Sequence, residues 1–176
     1  MPSQVEICNN ALVKVGAERI VSLADEVKQA QILNTIWDMK RDAELQAYPW
    51  KFASKRASLP SLVDAPNHGF ARQFQLPADF LRMIEVGEYW ALYAPSESGE
   101  LFSIEGSAIL TDEASPLRIR YTRRVVNTGE FTPLFAEVLA CRLAVEVCEA
   151  LSESTSQKRD LKEDYLRAIN TAALRG

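Results

Sequence analysis

The spacing of apolar residues changes twice along this chain of 176 residues, and that change limits its fold more than any single motif. Apolar residues recur at three- and four-residue intervals near both ends. From Trp50 to Asn127 they alternate at period two, and prolines recur at 60, 66, 77, 95 and 116. Helices and strands bury side chains at different periods, so the two textures belong to different elements. The pattern predicts an α+β protein, mainly α. An antiparallel helical bundle is expected from both chain ends, residues 1–49 and 131–176, with a small antiparallel β insertion over 50–130, all in a single domain.

Local signals place the elements. Ser3-Gln4-Val5-Glu6 reads as a capping box, Val5, Cys8, Ala11, Leu12 and Val15 follow at helical spacing, and Gly16 supplies a left-handed stop. A longer helix is expected from near Ala24 to Tyr48, where Pro49 blocks continuation. Val27, Ala30, Leu33 and Trp37 mark one apolar stripe on it, and Ile32, Ile36, Met39 and Ala43 an adjacent one, together predicting a wide buried face. Strands are expected at 81–86, 101–104, 108–110 and 117–121, with Glu105-Gly106 turning a hairpin. Leu117, Ile119 and Tyr121 are expected inward, and Arg118, Arg120 and Thr122 outward. Thr132-Pro133 starts a helix to Leu151, apolar on most sides and expected to pack on the second helix. Ser154-Thr155-Ser156-Gln157 reads as a further capping box opening the last helix, with Leu161, Tyr165, Ala168, Ile169 and Ala172 as its buried stripe.

Chemical motifs are sparse. Cys8, Cys141 and Cys148 lack CxxC spacing and sit in helical patterns, which favours buried reduced thiols. His68 is the one histidine and falls in a polar loop, so neither a metal site nor a cofactor is expected. Glu146 and Glu149, or Asp42 and Glu44, could pair for acid–base work, yet they read first as polar helix stripes. Gly-rich phosphate loops, HExxH and GxSxG are missing from the sequence. A net charge of −4 argues against general nucleic-acid binding, although Arg118, Arg120, Arg123 and Arg124 form a basic cluster. For that cluster a solvated face or a contact to acidic neighbours is favoured over phosphate contacts. The aromatics of Tyr48-Pro49-Trp50-Lys51-Phe52 read as core plugs. Neither a signal peptide nor a membrane span is expected.

Several segments taken in order carry a family resemblance. They are Ile7-Cys8-Asn9-Asn10-Ala11-Leu12 with Gly16 and Ile20, Tyr48-Pro49-Trp50-Lys51-Phe52-Ala53, Phe74-Gln75-Leu76-Pro77-Ala78-Asp79-Phe80, Tyr121 and the closing helical pair. Over nearly its whole length the chain resembles the tail tubular protein A family, the head-to-tail adaptors of short-tailed phages. The resemblance implies a structural virion protein without an active site or cofactor. It would form a ring, commonly of twelve copies, beneath a portal protein, contact other neck or tail proteins, and continue the channel through which DNA passes without specific binding. It would occupy the virion neck after assembly in the host cytoplasm, without a membrane partner. Some members extend a C-terminal arm into the portal, whereas the last helix here is soon followed by Leu174-Arg175-Gly176, which puts arm insertion in question. A cyclic ring joins two different faces of each subunit. One is expected on the last helix around Lys158, Lys162, Tyr165 and Arg175, the other around Arg19 and Asp25. Two other readings are a virion-associated peptidoglycan hydrolase with Glu146 as general acid, and a cytoplasmic interaction module unrelated to phage.

Overall fold

A computed structural model describes residues 2–87, 89–90, 101–151 and 155–175, with the backbone alone at Tyr89, Trp90, Thr155, Leu174 and Arg175. The chain divides into two compact units, one of Met1–Tyr48 with Val125–Gly176 and one of Pro49–Arg124.

The first unit is helical, with α1 Gln4–Val15, α2 Lys28–Ala47, α3 Pro133–Leu151 and α4 Thr155–Arg175. The Ser3 side chain accepts the Glu6 N–H while the Glu6 carboxylate accepts the Ser3 N–H, so the capping box is formed. Gly16 closes α1 at φ 72°, a conformation that favours glycine. Thr132 Oγ1 accepts the Phe135 N–H and starts α3 at Pro133. α3 is the central helix and packs against α1, α2 and α4. Its buried residues include Phe135, Val138, Leu139, Leu143, Ala144 and Val147. Ser154 of the expected capping box lies outside the described residues.

α2 departs from expectation twice. It begins at Lys28 rather than near Ala24, because the Asp25 carboxylate accepts the N–H groups of Val21 and Ser22 and holds the preceding segment in a turn. Its two apolar stripes also part company. Ala30, Leu33 and Trp37 are buried with Val27 of the same stripe exposed, whereas Ile32 and Ile36 are half-buried, and Met39 and Ala43 are exposed. One stripe is enough to cover α3, and the second is left at the surface of this unit.

The second unit opens with a 3-10 turn at Lys51–Ala53, followed by β1 Ser54–Leu59, β2 Arg72–Gln75, β3 Phe80–Val86, β4 Tyr89–Trp90, β5 Phe102–Glu105, β6 Ala108–Thr111 and β7 Leu117–Arg123. They form two antiparallel sheets, ordered β1-β7-β3-β4 and β2-β6-β5. Phe74 and Ile109 from the smaller sheet cluster with Met83, Val86, Leu117, Ile119 and Tyr121 from the larger, so both sheets close over one core. Gly106, at φ 59°, turns the β5–β6 hairpin where Glu105-Gly106 is expected.

These sheets correct the expected small insertion in an antiparallel helical bundle. The middle of the chain is a compact unit with a core of its own. β1 and β2 escape the hydrophobic pattern because Ser54-Lys55-Arg56-Ala57-Ser58-Leu59 and Arg72-Gln73-Phe74-Gln75 carry few apolar side chains. Backbone pairing to β7 and β6 places them. Thr122, expected outward, is fully buried between Ser54 and Arg82 in the register.

Candidate functional site

A gathering of ionisable groups lies in the helical unit, where α2, α3 and α4 meet. Glu44 on α2 is almost fully buried, and Tyr165 on α4 donates its hydroxyl to the carboxylate at 3.1 Å. The Arg142 guanidinium on α3 lies 5.6 Å from the Tyr165 ring centre, with Nε 3.7 Å from Glu44 Oε1. Arg142 also approaches Glu146 at 3.3 Å, and Lys40 donates to the same Glu146 oxygen at 2.7 Å. Burial raises the Glu44 carboxyl above its ordinary value, against the opposing pull of Tyr165, Arg142 and Lys40. Burial, then the neighbouring Glu44, pushes the Tyr165 hydroxyl up to about 12. The Tyr165 hydrogen bond to Glu44, with the Arg142 guanidinium as a longer ion-pair partner of the same carboxylate and a cation over the Tyr165 ring, ties α2, α3 and α4 together.

The other acidic candidates are also drawn into ion pairs. Asp42 pairs with Arg41, which is itself buried and reaches Asp38, and Glu149 pairs with Lys158. Glu146, the carboxylate a hydrolase would need, is an ion-pair bridge from α3 to Lys40 on α2. All three cysteines are buried free thiols, and burial raises Cys8 to about 12. His68 is exposed in its loop. Among the described residues no group of three His, Cys, Asp or Glu side chains is gathered to hold a metal ion, and no helix is long and apolar enough to cross a membrane.

The residues expected at a subunit interface have different surroundings. Arg19 and Lys162 are exposed. Asp25 is used by the turn before α2, Lys158 by Glu149, and Tyr165 by Glu44. The Arg175 side chain lies outside the described residues. The structure therefore brings Tyr165 into the helix contact, leaving Arg19 and Lys162 as the exposed charged members.

Sequence reasoning missed one surface by assigning it to the core. Ile32, Ile36, Met39 and Ala43 are spaced four, three and four residues apart and share one face of α2. Met39 is 61% exposed, and Ile32 and Ile36 line a shallow groove of about 270 Å³ with Lys28, Gln31 and Thr35. The signal that could have found it was the number of apolar stripes on α2, two on a helix that packs mainly on α3. Compared with known protein families and with curated proteins, the sequence finds no match.

Proposed function

We propose that this chain is a structural virion protein, a head-to-tail connector that assembles as a ring under a portal protein and continues the DNA channel to the tail. The reading is supported by the apolar stripe of Ile32, Ile36, Met39 and Ala43 on α2. A stripe left partly uncovered in one copy suits a contact that forms only in an assembly, and cyclic assembly presses one face of each subunit onto a different face of the next. The resemblance to the tail tubular protein A family supplies the kind of ring, commonly of twelve copies on a portal template. The exposed Arg19 and Lys162 would lie on charged rims that set register more than affinity. DNA would pass through without sequence-specific contacts.

The test is sedimentation of the intact chain with and without a portal protein from the same genome. The chain alone should sediment as a monomer, and with portal it should co-sediment as a closed ring. Ile36→Asp with Met39→Asp should abolish the ring while leaving the monomer's melting temperature nearly unchanged, since neither side chain is in the core. Failure to bind portal would overturn the connector reading. Rings that survive the double substitution would overturn the α2 contact, and clearing of peptidoglycan lost in Glu146→Gln would favour the hydrolase.

A further inference from the structure

One face of the larger sheet concentrates arginine. In the register of β1 and β7, Arg56 lies directly opposite Arg120, and Arg118 lies opposite Ser58 two residues along. Directly opposed residues share a face and so do residues two apart, which puts Arg56, Arg118 and Arg120 together. Glu85 on β3, opposite Arg120, brings a carboxylate to this face and accepts from Arg120 at 2.6 Å. Arg56 and Arg118 are exposed and make no ion pair among the described residues. These side chains line a groove of about 460 Å³ with Ser58, Glu85 and Gly87.

Like charges placed directly opposite on neighbouring strands repel, so this arrangement lowers the stability of the empty sheet. An oxyanion between the guanidinium groups reverses the sign of that term. Arg56 and Arg118 sit diagonally across β1 and β7 and line one groove with Arg120, and each of these three carries the planar fork that matches a phosphate. We propose that this groove binds a phosphate oxyanion, gripped by Arg56 and Arg118, with Arg120 held beside them by Glu85. Two sources carry this chemistry, a free phosphate and a phosphodiester strand, the latter held without regard to base sequence. This inference stands on the β unit alone and does not rest on the ring.

The intact chain is titrated at ~0.05 M salt with inorganic phosphate, followed by the shift in melting temperature, and with a labelled twelve-thymidine oligonucleotide, followed by anisotropy. At least one probe should bind, with affinity falling at least about tenfold in Arg56→Gln plus Arg118→Gln. The melting temperature of the free double variant should be unchanged or raised. Arg56→Lys, which keeps the charge but loses the planar fork, should weaken binding and retain the fold if the double variant does not. Saturation by phosphate alone identifies a free phosphate, and a salt-dependent oligonucleotide isotherm identifies a strand. The proposal is overturned if neither probe binds, if the arginine variants bind like the wild type, or if polyglutamate of equal charge displaces the probe as well as phosphate does.

Discussion

Tyr121 and Asp79 show how single side chains fix the β unit. The Tyr121 hydroxyl donates to Asp79 Oδ1 at 2.7 Å, Lys55 donates to Oδ2 at 2.8 Å, and the Asp79 carbonyl accepts the Arg124 N–H. Burial pushes the Asp79 carboxyl up, but the Lys55 and Tyr121 hydrogen bonds outweigh it and hold the group below its ordinary 3.8. Its contribution to stability is therefore present above pH 3.8 and lost as the pH falls through the lowered value. Tyr121→Phe should cost about 2 kcal/mol in urea unfolding at neutral pH, because it leaves a hydrogen-bonded carboxylate short of a donor. Glu44 behaves in the opposite sense. Its carboxyl is raised above 4.5, so above that pH the folded state holds the proton more tightly than the unfolded chain. Stability should then fall as the pH rises from 4.5 through the raised value, and Glu44→Gln should remove that slope. Urea midpoints of the two proteins measured between pH 4.5 and 7 check it; parallel curves would mean that Glu44 titrates alike in both states.

Elements differ in how their stability is shared between local and tertiary contacts, and variants should follow that division. Ser3→Ala removes one half of the capping box of α1 and should cost about 1 kcal/mol by thermal or urea unfolding. Leu139 is fully exclusive of solvent on the central α3, so Leu139→Ala should cost about 3 kcal/mol and Leu139→Asp should abolish cooperative unfolding of the helical unit. A Leu139→Asp protein that melts like the wild type would place that residue outside the core. The same division explains what was legible in the sequence. α1 and α3 were readable because capping residues and periodicity both announce them, and the β5–β6 hairpin because Gly106 marks its turn. β1 and β2 were not, since their order comes from hydrogen bonds to strands distant in sequence. Of the expected interface, the charge of Lys158 and the ring of Tyr165 were legible, but their partners Glu149 and Glu44 were not, because periodicity gives a face and never the neighbour across it. The partly exposed α2 stripe resembles core in sequence for the same reason.

At the scale of the whole molecule, the β unit is entered through β1 and left through β7, and these strands are paired, with Ser54 opposite Thr122. Its two ends therefore lie side by side. Residues 49–124 expressed alone should give a strand-rich circular dichroism spectrum and a cooperative melt, because both sheets and their core lie within that range. A spectrum of unordered chain would show that the sheets need the helices. The position of α3 sets a timetable for synthesis. α1 and α2 leave the ribosome first, but the helix they pack against comes only after residue 132. The β unit can finish folding while the two leading helices still expose the faces meant for α3. A nascent chain stalled before that point would hold a finished sheet pair beside a half-built bundle, the stage at which a chaperone has the most apolar surface to grasp.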